Sequence, residues 1–136
     1  MVVPVRKLNL VRNKLTDPQV EPLKQSLVSK RDLKILHMSH NNMSDRALGM
    51  LAEGLKVNSG IEEIQFTHND LSLPNGQAVI ASLANMPNLA KLSFNSCNLI
   101  QPCLEAMRQA LTNNETLTDI SLYSKEIDAE GAQLIA

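Results

Sequence analysis

Apolar positions recur along this chain with a period of 28 residues. Between Leu33 and Met43 they fall at Leu33, Leu36, Met38 and Met43, with Asn41 set among them. The same spacing returns as Val5, Leu8, Leu10, Asn13 and Leu15, and as Ile61, Ile64, Phe66, Asn69 and Leu71. It returns again as Leu89, Leu92, Phe94, Cys97 and Leu99, and last as Leu117, Ile120, Leu122, Lys125 and Ile127. No insertion or deletion disturbs the register, and Lys125 alone departs from type. Apolar residues two apart, as at Leu36 and Met38, predict a short strand with one buried face.

The second half of each period carries the spacing of a helix. Val20, Leu23 and Leu27 lie three and four apart, as do Leu48, Leu51 and Leu55, and Leu104, Met107 and Leu111. Such a stripe is the buried face of an amphipathic helix. The third unit keeps Val79, Ile80 and Leu83 but has Gly76 at the first stripe position. Pro18, Pro74 and Pro102 share one offset, where a first helical turn accepts proline. Asp17 and Asp45 are candidate caps. Pro22 would remove a backbone bond inside the first helix, so that helix is expected to start late. Asn58-Ser59-Gly60 and Asn113-Asn114 read as helix exits.

Each unit is therefore a strand, a turn, a helix and a return loop. A strand followed by its own helix pairs with the strand one unit away, in parallel. Strands stack at about 4.8 Å whereas packed helices need roughly 8–10 Å, so the pile bends toward the strands. The expected class is α/β: a curved right-handed β-α superhelix with a parallel sheet on its concave face and helices on its convex face. About five repeats, starting near 5, 33, 61, 89 and 117, fill residues 1–136 as a single domain.

The pattern L-x-x-L-x-L-x-x-N-x-L, together with the run Asn114-Glu115-Thr116-Leu117-Thr118-Asp119-Ile120-Ser121-Leu122, resembles the ribonuclease-inhibitor-like class of leucine-rich repeats. Ran GTPase-activating proteins, actin-regulating CARMIL proteins and NOD-like receptors carry repeats of this kind. The resemblance covers the whole chain and implies a leucine-rich repeat solenoid in which Asn13, Asn41 and Asn69 form a structural ladder. Cys97 takes the fourth rung, as the class permits, and Lys125 breaks the ladder. The last unit stops at Ala136, before the counterpart of Leu27, Leu55, Leu83 and Leu111, and no polar cap follows. The expectation is a fragment of a longer array, with end-to-end self-association as the rival way to cover the open ends.

Composition narrows the function. A net charge of −1 argues against a nucleic-acid or anionic-membrane footprint, and only Phe66, Phe94 and Tyr123 are aromatic. Two cysteines, Cys97 and Cys103, suggest no disulfide framework, and a cytoplasmic setting is expected. Cys97 reads as a buried rung residue, Cys103 as an exposed residue near a helix start. No apolar run approaches the roughly 18 residues of a spanning helix. The five glycines are scattered, and no phosphate-cradling loop is present.

Strand alternation assigns the concave face. Its candidate binding residues are Ile35, His37, Glu63, Gln65, Lys91, Asn95, Asp119 and Tyr123, with Arg12, His40 and His68 on the rim. Lys7, Asn9, Val11, Ser39, Thr67, Ser93 and Ser121 belong to the same face. Tyr123 is the best anchor, since Tyr is enriched among residues that dominate interfaces. His37, His40, His68 and Glu63 lie on neighbouring strands; they read as ordinary polar residues, with a zinc site the alternative in principle. Ser39 beside His37 or His40 is adjacency on an open sheet, not a catalytic set. The reading is a non-catalytic protein-interaction scaffold without a cofactor, which binds a partner protein through its concave face and rims. The alternatives are a Ran-regulator-like GTPase-activating module, for which Arg12 and Arg46 do not by themselves supply an arginine finger, and the sensor or regulatory portion of a larger multidomain protein.

Overall fold

The computed structural model describes residues 6–11, 14–15, 17–29, 32–58, 60–112 and 114–122. The expectations that fall on Val5, Arg12, Asn13, Tyr123, Lys125 and Ile127 lie outside these residues. Strands and helices alternate: β1 (Lys7–Asn9), α1 (Asp17–Ser29), β2 (Ile35–His37), α2 (Asp45–Val57), β3 (Glu63–Gln65), α3 (Gly76–Ser82), β4 (Lys91–Ser93), α4 (Gln101–Leu111) and β5 (Asp119–Ser121). The five strands form one parallel sheet in sequential order. Every pair is offset by one period, as in Leu36 opposite Ile64 and Ile64 opposite Leu92.

The same backbone bonds recur at each junction. Leu10, Met38, Phe66 and Phe94 each donate their N–H to the next strand, to the carbonyls of His37, Gln65, Ser93 and Ser121 at 2.8–2.9 Å. Three-residue strands leave little room for error, so identical unit length keeps this ladder closed.

The core lies between the sheet and the helices. Leu36, Ile64 and Leu92 are buried, as are the helical stripes Val20–Leu23–Leu27, Leu48–Leu51–Leu55 and Val79–Ile80–Leu83. Phe66 and Phe94, one period apart, pack edge to face with ring centroids at 5.8 Å. The row expected to be continuously buried fades at both ends. Leu8 is half-buried, and Ile120, on the last described strand, is 47 % exposed because a paired strand lies on one side of it only.

Asparagines close the turns as expected. Asn41 Nδ2 donates to Met38 O at 2.7 Å and to Leu10 O at 2.9 Å. Asn69 Nδ2 donates to Phe66 O and Met38 O, while its Oδ1 accepts the N–H of Asn41 at 3.2 Å. Cys97 Sγ donates to Phe66 O at 3.0 Å, so the thiol supplies the bond to the preceding unit that Asn41 and Asn69 make at their rungs. A second clasp was read only as a helix exit: buried Asn58 donates to Leu27 O at 2.9 Å and accepts the N–H groups of Gly60 and Ile61.

Three local expectations are corrected. Helix α1 starts at Asp17 and runs through Pro22; both Pro22 and Pro18 are exposed, so water can serve the Pro18 carbonyl that loses its N–H partner. The side chain of Asp17 lies outside the described set. At α2 the cap is Ser44, whose Oγ accepts the N–H of Ala47 at 3.1 Å. Asp45 reaches the next unit instead, where its Oδ1 accepts the N–H of Asn75 at 2.6 Å. Cys103 is fully buried: it occupies the inward position of Ala47 one unit pair on, and donates to Leu71 O at 3.1 Å. Gly76 stands where the other units have Val20, Leu48 and Leu104 because a Cβ there would lie 1.9 Å from Leu71 O.

Two stability outcomes follow. Leu36→Ala is expected to cost about 2–5 kcal/mol in urea unfolding, through loss of buried contact and the cavity left behind. Asn41→Ala is expected to cost about 1–3 kcal/mol, because the Leu10 carbonyl loses its side-chain donor and the Met38 carbonyl loses one of two. A midpoint unmoved in the second case would remove the structural role given to the ladder.

Candidate interaction surface

The sheet face opposite the helices is open and polar. Two columns cross it in register. One runs Lys7, Ile35, Glu63, Lys91 and Asp119; the other runs Asn9, His37, Gln65, Ser93 and Ser121. Their order follows from the period, since equivalent positions on paired parallel strands sit side by side. Negative, positive and negative charges alternate over Glu63, Lys91 and Asp119, around a shallow hollow of about 280 Å³. Lys91 and Asp119 are exposed, whereas Ile35, His37, Glu63 and Gln65 are half-buried.

Local bonds hold part of this face. Gln65 Nε2 donates to Glu63 Oε1 at 3.2 Å, and His37 Nε2 stands 3.6 Å from the same oxygen. His37 Nε2 is buried and has no hydrogen-bond partner among the described residues. Ser121 Oγ donates to Asn95 Oδ1 at 2.8 Å. Ser39 leaves the surface: it is buried, and its Oγ accepts the N–H of Thr67 at 3.1 Å.

The rim histidines share a backbone demand. His40, His68 and Ser96, one period apart, have φ of 62°, 61° and 55°. That left-handed turn swings the chain out of each strand, and His is among the residues that tolerate it. The His40 and His68 rings stack with centroids at 4.3 Å and planes 26° apart. Stacked rings do not converge on a common point, and among the described residues no three His, Cys, Asp or Glu side chains are grouped to hold a metal ion. Burial pushes the Cys97 thiol up to about 11 and raises Cys103 as well. Neither is therefore disposed to act as a thiolate.

Next to this rim, Asp70 sits in a bonded turn. Burial raises its carboxyl, but donation from Ser72 Oγ, Ser72 N–H and Asn98 Nδ2 outweighs burial and holds it below the ordinary 3.8.

Sequence reasoning did not find a hollow of about 760 Å³ on the outer layer between α2 and α3, whose lining includes Ala52, Ala78 and Ala81. Aligning helix positions across units would have marked it, because two alanines there replace long side chains.

The comparisons agree with this architecture. A family model described as "Leucine Rich repeat" matches residues 29–52. The human "NACHT, LRR and PYD domains-containing protein 13" is 26 % identical over 94 % of the chain, and the mouse "NACHT, LRR and PYD domains-containing protein 14" is 28 % identical over 90 %. The human protein 5 of the same naming series is 26 % identical over 93 % of the chain. The chain spans 12 %, 13 % and 8 % of the lengths of these three relatives. Among solved structures, "Leiomodin-1 Actin-Binding Site 2 (ABS2)" aligns over 96 % of this chain and 76 % of its own, with a TM-score of 0.75 at 16 % identity. The Caenorhabditis elegans tropomodulin C-terminal domain aligns over 96 % and 80 %, with a TM-score of 0.76 at 13 % identity. Fold and unit together define an α/β leucine-rich repeat solenoid. A leucine-rich repeat model matches part of the chain, and the strand–helix units of 28 residues fit the repeats of the ribonuclease-inhibitor-like class. It is a module of the protein-interaction kind, and none of these matches is to a catalytic family.

Because Asp70 is held below its ordinary value, its contribution to stability is complete above pH 3.8 and is lost as pH falls through the lower, folded-state value. In urea unfolding, the lead of the native chain over Asp70→Asn is therefore expected to narrow below pH 3.8 and to stay constant above pH 5 or so. A lead that widens on acidification would contradict the assignment.

Proposed function

We propose that this chain is a non-catalytic scaffold that binds a partner protein on its concave face. The observation that carries this reading is the in-register pair of columns: Glu63, Lys91 and Asp119 alternate in charge beside His37 and Gln65, on a face no helix covers. A mixed-sign polar surface suits a protein surface of complementary charge and gives selectivity and steering more than raw affinity. A base-stacking platform would need aromatic side chains over a basic groove. Leiomodin-1, which shares the fold, is named for an actin-binding site; that supports a protein partner in general. Among the described residues no helix is long and apolar enough to cross a membrane. The free thiols of Cys97 and Cys103 suit a reducing, intracellular setting.

A second reading is favoured by the relatives. Their names join a leucine-rich repeat region to NACHT and PYD domains, and this chain matches about an eighth of their length or less. On that reading the scaffold is the sensor or regulatory portion of a larger protein. The GTPase-activating alternative draws no support from Arg46, which lines the outer groove and not the concave face.

Pull-down of cell proteins with the native chain and with a His37→Ala, Gln65→Ala, Lys91→Ala and Tyr123→Ala variant tests the scaffold. The variant is expected to lose partner capture while its urea midpoint moves little, since each surface change falls within about 0.5 kcal/mol. Partners retained by a folded variant would exclude the concave face as the site.

A further inference from the structure

The outer layer differs from one helix pair to the next. Between α1 and α2, Lys24 Nζ reaches across to Glu53 Oε2 at 2.7 Å. One period on, the equivalents of Lys24 and Glu53 are Ala52 and Ala81. The bridge is missing there, and the space it would fill is the hollow of about 760 Å³ between α2 and α3. Ala52, Ala78 and Ala81 line it, together with Met50. Met suits surfaces that must adapt to an apolar occupant.

The charges around this groove are unequal. Arg46 and Lys56 lie at opposite ends of α2, about 15 Å apart along its axis, and both are exposed lining residues. Neither has an ion-pair or hydrogen-bond partner among the described residues. The nearby acidic groups are already engaged: Glu53, which itself lines the groove, pairs with Lys24, and Asp45 holds the N–H and side chain of Asn75. The groove is thus a trough floored by alanines and Met50, with the paired Glu53 on its wall and, among the described residues, an unpaired cation at each end.

We propose that this groove is a second docking surface, separate from the concave face, for a partner-protein segment whose apolar residues fill the trough and whose ends carry carboxylates for Arg46 and Lys56. In an extended segment, at about 3.3 Å per residue, the two carboxylates stand four or five residues apart. A free cation at the rim attracts them over distance, and the alanine floor admits their intervening side chains without displacing a bridge. The surface does not depend on the concave-face reading, and either can fail alone.

The test is a selection from a random peptide library displayed on phage, with the whole chain as bait. The selected peptides are expected to hold an apolar middle with Asp or Glu on each side. Their affinity is expected to fall about tenfold or more against Arg46→Glu/Lys56→Glu. It is expected to fall likewise against Ala52→Lys/Ala81→Glu, which rebuilds the cross-groove bridge, and to be unchanged by His37→Ala/Lys91→Ala. Because Ala52 is buried, Ala81→Glu alone, at an exposed position, serves where the double variant fails to fold. The proposal is overturned if no peptide is selected, if the selected peptides lack acidic flanks, or if they bind the plugged and native grooves alike. It is also overturned if the chain self-associates through this groove and Ala81→Glu abolishes that association.

Discussion

Each unit of this solenoid buries backbone groups that it cannot satisfy itself. After every strand the chain turns sharply between the sheet and the helices, and a buried carbonyl there costs free energy unless it finds a donor. The unit's own asparagine supplies one donor, and others come from one unit away. Asn41 serves Leu10, Asn69 serves Met38, Cys97 serves Phe66 and Asn58 serves Leu27. Equal unit length is the condition for all these bonds at once. The common offset of 31 residues in these contacts is therefore a chemical necessity before it is a sequence pattern.

That necessity explains what could be read without coordinates. Burial demands an apolar side chain at a fixed spacing, so the core residues Leu36, Ile64, Leu92 and the helical stripes declare themselves. Strand pairing follows from the period, which is why the column Ile35, Glu63, Lys91 and Asp119 was legible. Features set by a neighbour in space were not. Pro22 is accepted because the carbonyl it orphans faces water, and Asp45 leaves its own helix end because Asn75 arrives beside it. Ser39 has the alternation of a surface residue, yet the Thr67 amide draws its hydroxyl inward. The outer groove depends on two alanines on different helices, and neither is informative alone.

The histidines illustrate how a conformational demand can resemble a functional motif. His40 and His68 sit one period apart, and a sequence pattern that sets them beside His37 and Glu63 suggests a ligand cluster. Their backbone accounts for them otherwise: both occupy the left-handed turn that Ser96 occupies in the next unit. A stacked pair of rings is then the side-chain consequence of two identical turns laid side by side.

Strands of three residues expose few side chains each, so no single unit presents enough surface to define a binding preference. Discrimination has to be spelled transversely, one or two letters per repeat, in rows spaced by the interstrand distance. Exchange of a whole unit rewrites one row and leaves the others in register, so this architecture can acquire new partners without rebuilding its interior.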